Sequence, residues 1–356
     1  MLLHVYSKTK GSSRYFDAYD KGSLCINRKL DMDDRTLSFT ARTSDVFKYG
    51  IELEGYIQLS RASNNDEDKF DLYKDEYVIS EINMDSSGKA EIVARMNVED
   101  LEGKMYHYKL ILSKDIYNTI KGIVEDNNDG WYVPQQEETG TYVKRMEYAD
   151  ISKYDILRDF QSIYSLEYII HSKTKSVDFV IGKRGVDRLA TFIDDFNLKK
   201  LSVDTSTYDL YTELEAYGYE GLTFESINSG NDYKKYITNY TYTTKKKRYI
   251  WNAPEYTEDY DLLIHAYQKL GDMAVPYKSY SADILDLYSM VRHSNQYDRY
   301  EYDLGDTVRI MDSATQTYER FRIVEMTIYP NAPHKNSVIL ANKTMRLTDL
   351  LSQSKY

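Results

Sequence analysis

Cysteine is almost missing from this chain. Cys25 is the only one among 356 residues, which excludes an intrachain disulfide and fits folding in a reducing cytoplasm. Long apolar runs are missing too: the opening MLLHVYSKTK is too short and too polar for a signal peptide, and no stretch approaches a membrane span. Five prolines and 16 glycines leave no low-complexity linker. Basic charge is in deficit, 46 Lys and Arg against 57 acids, for a net charge of −11. That argues against a protein built to hold nucleic acid, which needs a basic face. Neither H-E-x-x-H nor C-x-x-C occurs, so local zinc spacings are absent as well.

Tyrosine is what the chain has in excess, 37 residues, several times common usage. Its broad apolar ring and wet hydroxyl suit half-buried strands and subunit contacts alike, and composition does not choose between them. At this length two to four domains are expected.

The first hundred residues read as β, with Leu24 and Ile26, Leu37 and Phe39, Ile51 and Leu53, and Ile57 and Leu59 on alternate positions. Tyr77–Ile79 and the run Ala90, Ile92, Ala94, Met96 flank a hairpin turn at Asp85–Gly88. Six or so strands suggest a barrel or a sandwich. Asn64–Asp68 reads as an exposed loop. The period then changes. After Ser113 as N-cap, Ile116, Ile120, Ile123 and Val124 mark a helix; a second starts at Ser152, with Asp155 as capping partner. Strands at Leu166–Ile170 and Val177–Ile181 complete an α+β unit over 98–187.

The chain pivots on Leu210–Tyr236. Tyr211, Glu213, Glu215 and Tyr217 alternate with Thr212, Leu214, Ala216 and Gly218, the period of a strand. Gly218 and Gly221 permit a tight reversal, after which Leu222, Phe224 and Ile227 read as a short strand. Tyr236–Trp251 is strand-like, interrupted by Lys245–Arg248. Thr257 is expected to cap a helix carrying Leu262, Leu263, Ala266, Tyr267 and Leu270 on one face, with Gly271 as its stop. From Pro276 a last β region runs through Tyr277–Leu287, Asp306–Met311, Phe321–Tyr329 and Ser337–Ala341, with a turn at Asp312–Thr315 and a short helix at Leu347–Ser352.

Two motifs carry a resemblance. Tyr217-Gly218-x-x-Gly221-Leu222-Thr223 followed by Ile227-Asn228-x-Gly230-x-x-Tyr233, and then Tyr302-Asp303-Leu304-Gly305-Asp306-Thr307-Val308, resemble the tail-associated proteins of long-tailed bacteriophages. That family is also called prophage endopeptidase tail and includes baseplate hubs. The matching order runs through roughly 201–350, and the first half fits more loosely.

The resemblance implies an α+β, predominantly β fold with two tail-tube-like β-barrel domains and α+β insertions. The expected division is 1–97 plus 188–230 as the first barrel, 98–187 as the insertion, 231–275 as a strand-helix connection, and 276–356 as the second barrel region. It implies a structural hub at the distal tip of a phage tail, in the virion, made in the host cytoplasm. As a homotrimer it would join other tail and baseplate proteins around a DNA passage, without specific DNA binding and without a membrane segment. Three subunits with two barrels each match a sixfold tube, and an acidic lumen would repel phosphates. Competing readings are a peptidoglycan hydrolase and a module that stacks tyrosines on wall sugars.

No catalytic, cofactor-binding or metal residue is assigned. His4, His107, His171, His265, His293 and His334 are far apart in sequence. Cys25 has no adjacent base to activate it. Glu125–Gly130 resembles the start of a calcium loop, but Gln136 occupies the place of the closing acid. Lys245–Arg248 reads either as a solvated hairpin tip or as a phosphate contact. Gly305-Asp306 suits the start of a strand.

Overall fold

Every second side chain is buried along β1 (Leu2–Tyr6), β3 (Cys25–Lys29), β4 (Arg35–Arg42) and β7 (Lys89–Met96), the period of a strand with one face on a core. β2 (Ser13–Phe16), β5 (Tyr56–Ser60) and β6 (Glu76–Met84) complete this region. The computed structural model describes residues 1–60, 70–103, 105–112, 114–126, 129–136, 140–141, 143–254, 256–290 and 300–341. The expected loop at Asn64–Asp68, the cap at Ser113, His293 and the helix at Leu347–Ser352 lie outside the described residues. Asp85–Gly88 forms the expected β6–β7 turn: the Asp85 carboxylate accepts from the amides of Ser87 (2.9 Å) and Lys89 (3.1 Å). Ile51 and Leu53 are not on a strand. They follow a helix unforeseen in the sequence, α1 (Thr43–Tyr49), which Gly50 ends in the left-handed region at φ 65°.

The insertion contains α2 (Glu99–Glu102), β8 (Met105–Ile111), α3 (Ile116–Val124), β9 (Met146–Ser152), α4 (Lys153–Tyr164), β10 (Leu166–His171) and β11 (Ser176–Ile181). Asp115 caps α3, its side chain accepting from the Tyr117 amide at 2.9 Å. Ser152 caps α4 as expected, accepting from the Asp155 amide at 3.0 Å. Ile120, Ile156, Leu157, Phe160, Tyr168 and Val177 are fully buried in a second core, to which Met32 and Met96 of the first β region also contribute.

The remaining elements are β12 (Asp187–Ile193), β13 (Leu198–Ser206), β14 (Glu213–Tyr217), β15 (Tyr236–Thr238), β16 (Arg248–Asn252), α5 (Asp259–Met273), β17 (Tyr277–Ile284), α6 (Leu287–Met290), β18 (Thr307–Met311), β19 (Arg320–Ile328) and β20 (Ser337–Ala341). Leu222–Ile227 is not a strand: 3₁₀ turns at Tyr219–Gly221 and Glu225–Ile227 flank Phe224, which is buried in the small core under α5. β15 and β16 do not pair with each other. They flank β14, antiparallel and parallel respectively, so Lys245–Arg248 is not a hairpin tip. α5 begins one residue after Glu258, without a side-chain cap from Thr257, and runs through Gly271 to Met273, with Ala274 as its C-cap. A helix tolerates one glycine at a cost of about 1 kcal/mol; Pro276 is the firmer stop.

β12 and β13 pair with β18 and β17, not with the strands of 1–97 alongside which the sequence placed 188–230. Alternation marks a strand but carries no record of its partner. Thirteen of the described strands join in one sheet. Within it, β1 pairs with β2 and β5, and the order continues β5–β6–β7–β4; Tyr19, three residues past β2, bridges back to Ala41 on β4. The second region runs β12–β18–β19–β20–β17–β13, and Asp194 bridges to Leu198. β3 lies between, bonded to β4 on one side and β19 on the other. Leu3, Ile26, Phe39, Ile92, Ile310 and Leu340 share a continuous core across both regions, each contributing about 1.5–3 kcal/mol by burial.

Candidate functional site

The most concentrated polar chemistry lies where the first β region, the insertion and the second β region meet. Asp33 stands in the turn after β3 at φ 51° and is fully buried. It accepts from Arg35 (2.6 Å), from Arg184 (2.7 Å) and from the Ile170 amide (2.9 Å). Arg35, equally buried on β4, also pairs with Asp75. From β19, Arg322 forks onto both oxygens of Glu167 on β10 at 2.5 Å and donates to the carbonyls of Gly305 (2.8 Å) and Arg184 (2.6 Å). Arg28 reaches Asp303 at 2.9 Å. Planar guanidinium forks suit such buried pairing.

Burial alone would raise the Asp33 pKa; the guanidiniums of Arg35, Arg184 and Arg28 outweigh it and hold the carboxyl well below the usual range. Asp75 goes the other way, raised by burial that Arg35 only partly offsets. His171, at the end of β10, is lowered to about 4 by burial and by the nearby Arg35 and Lys74. It therefore stays neutral near pH 7.

The Gly305-Asp306 motif belongs to this joint. Asp306 accepts from the amides of Val186 (2.7 Å) and Asp303 (3.0 Å) and from Arg188 Nε (2.7 Å). It thereby fixes the start of β18 against the start of β12. Gly305 (φ 93°) lies directly against Gly185 (φ 87°): a Cβ on Gly185 would fall 2.4 Å from the Gly305 carbonyl. Sequence reading found Gly305 and Asp306 but missed Asp33, Arg35, Glu167, Arg184 and Arg322. For Arg35, Glu167 and Arg322 the only signal is a charged residue at an inward strand position, legible once the strand's partners are known; Asp33 and Arg184 lie in connections and carry no periodic signal.

The other candidates do not converge. His4 stacks on Tyr15 at 4.5 Å, His107 pairs with exposed Asp150 at 2.7 Å, His265 bonds the Asp261 carbonyl at 2.8 Å, and His334 is exposed. Among the described residues, no three His, Cys, Asp or Glu side chains gather as a metal site. Burial pushes the half-buried Cys25 thiol up, away from a thiolate. In the acidic turn, Asp126 takes Lys109 (2.8 Å) and Asp129 takes the buried Lys153 (3.0 Å), so lysines neutralise both carboxylates. Arg248 is held by Glu213 (2.8 Å) and Glu215 (3.3 Å) and lies 3.8 Å over the Tyr236 ring.

Residues 186–351 match the prophage endopeptidase tail family. No curated protein matches the chain in sequence. Among solved structures, the prophage tail protein gp18 from Listeria monocytogenes EGD-e superposes with a TM-score of 0.67 at 14% identity, covering 99% of this chain and 98% of that one. The tail protein from Neisseria meningitidis MC58 gives 0.65 at 10% identity, covering 96% of each. The 43 kDa tail protein of prophage MuSo2 from Shewanella oneidensis gives 0.63 at 9% identity, covering 97% and 98%. At such identities the likeness speaks for the fold. The resemblance read from the sequence is thereby shown: the chain has the fold of prophage tail proteins, and its residues 186–351 match the prophage endopeptidase tail family.

Proposed function

We propose that the chain is a structural hub of a phage tail, a component of the virion that closes with two further copies into a ring around the DNA passage at the tail tip. The observation that carries this reading is the pair of strand circuits. Each β region contributes six strands whose pairing returns to its start through one isolated bridge, Tyr19–Ala41 in the first and Asp194–Leu198 in the second. We take each circuit as a small barrel, the first within 1–97 and the second built from 187–206 with 277–341. The insertion 98–186 and the unit 210–275 hang from this pair.

Two barrels per subunit and three subunits present six barrels, which lets a threefold ring meet a sixfold tube. The buried joint supports the same reading, since matching a tube requires two barrels held at one fixed angle. Exposed Tyr15, Tyr208, Tyr260 and Tyr318 offer contact surface for other tail proteins. The net charge of −11 suits a passage that DNA traverses without adhering.

No catalysis is assigned, although the family's name contains the word endopeptidase. Two measurements test the reading. Light scattering of the purified chain is expected to give three times the mass of one chain at high concentration, and cell-wall zymography is expected to give no clearing. A chain that stays monomeric with and without tail partners, or one that lyses walls, overturns it.

A further inference from the structure

Between Tyr233 and Ile250 the sequence holds six basic residues, five tyrosines and no acid. The chain carries −11 overall, so everything outside this strip carries −17. The fold sets the two ends of the strip on one small sheet, Tyr236–Thr238 in β15 and Arg248–Ile250 in β16, with residues 239–247 as the loop that joins them. Leu214, Ala216 and Ile237 turn one face of β14–β16 onto the core under α5. Tyr236, Glu215 and Ile250 are directly opposite one another on the other face, next to the row Thr238, Glu213 and Arg248. That outer face is set rigidly. Arg248 crosses it from Glu213 and Glu215 to the Tyr236 ring, and Tyr240 donates to Glu213 at 2.5 Å. Around it Tyr233, Lys235, Tyr242, Lys245, Lys246 and Ile250 are exposed. Lys235, Lys245 and Lys246 have no ion-pair partner among the described residues.

We propose that this outer face of β14–β16 docks on the acidic surface of a second copy of the chain, and so forms one side of the head-to-tail contact that closes the ring. The inference rests on the ring reading above and adds the surface that makes the contact. A cyclic ring needs two different, complementary patches on each subunit. Here one basic, aromatic patch stands on a chain whose remainder is strongly acidic, so the complement is present on every copy. Preorganised tyrosine and arginine with an exposed isoleucine have the composition of an interface centre.

A nucleic acid is the poorer occupant. The one guanidinium, the group best able to fork onto a phosphate, is already committed to two glutamates. Lys235, Lys245 and Lys246 neutralise few phosphates, and polyanion affinity scales with that number.

The test uses the full chain, with K245E/K246E compared against K8E/K48E, an equal charge change at exposed lysines elsewhere. The expected result is at least about tenfold weaker self-association for K245E/K246E alone, since like charges facing each other in an interface are strongly unfavourable. Wild-type association should also weaken as salt rises, with the far-UV circular dichroism spectra of all three proteins alike. Unaltered assembly of K245E/K246E overturns this surface and leaves the ring reading standing. Duplex DNA binding that is lost in K245E/K246E while assembly persists also overturns it, in favour of a nucleic-acid contact. A wild-type chain that never associates overturns both readings.

Discussion

Gly185→Ala is expected to cost at least about 3 kcal/mol of unfolding free energy, among the larger effects a single methyl group produces. Two penalties add. At φ 87° any L side chain is strained, by about 1 kcal/mol or somewhat more. The added Cβ would also meet the Gly305 carbonyl at 2.4 Å and the Asp306 amide nitrogen at 2.7 Å, both backbone atoms that cannot swing aside. The control lies three residues earlier. Gly182 has φ 88° and nothing within 4 Å of its Cβ position, so Gly182→Ala should show the strain alone. Urea unfolding of both variants separates the two contributions. Equal losses would mean that the Gly185–Gly305 contact does not constrain the start of β18.

Arg35→Met is expected to destabilise the chain by about 3–5 kcal/mol at neutral pH, because it leaves Asp75 buried without its guanidinium and leaves Asp33 with Arg184 in place of two close guanidiniums. Arg145→Met, which breaks an exposed pair with Glu147, should cost about 1 kcal/mol or less. The pH dependence gives the stronger signature. Asp33 has a depressed pKa in the fold, so its stabilisation is in place above the roughly 3.9 of an unfolded aspartate and is lost as acid titrates it. Asp75 has a raised pKa and contributes with the opposite sign, its share falling as pH rises through the raised value. Without Arg35 both carboxyls hold protons more readily. The deficit of the variant should therefore shrink as pH is lowered toward about 4. A deficit independent of pH would point to lost packing alone.

These two sites show why the sequence disclosed some of the architecture and withheld the rest. Local chemistry was readable: Ser152 with Asp155 announces α4, Asp85 with Gly88 announces the β6–β7 turn, and Ser337–Ala341 was placed to the residue. Glycine was a weaker guide. Gly50 and Gly221 adopt positive φ, whereas Gly271 passes inside α5, and residue type alone does not distinguish them. Pairing was not readable at all. The expected division sets 188–230 with the strands of 1–97, but β12 and β13 bond to β18 and β17 from much later in the chain. The buried joint depends wholly on such distant pairing. Asp33 and Arg184 are 151 residues apart, and Glu167 and Arg322 are 155 apart. Of the basic strip, only Lys245–Arg248 stands out in the sequence, as a charge run. What the fold adds is that β15 and β16 flank β14, which turns a presumed loop tip into part of one rigid face.

In the proposed ring, the two strand circuits of each subunit meet a tube in threefold register. Electron microscopy of assembled tails, with this chain tagged and viewed down the axis, tests it most directly. The predicted image is a single ring of three tagged subunits whose inner wall shows six similar density lobes. Six tagged subunits in that ring, or three subunits with only three lobes, would contradict the account.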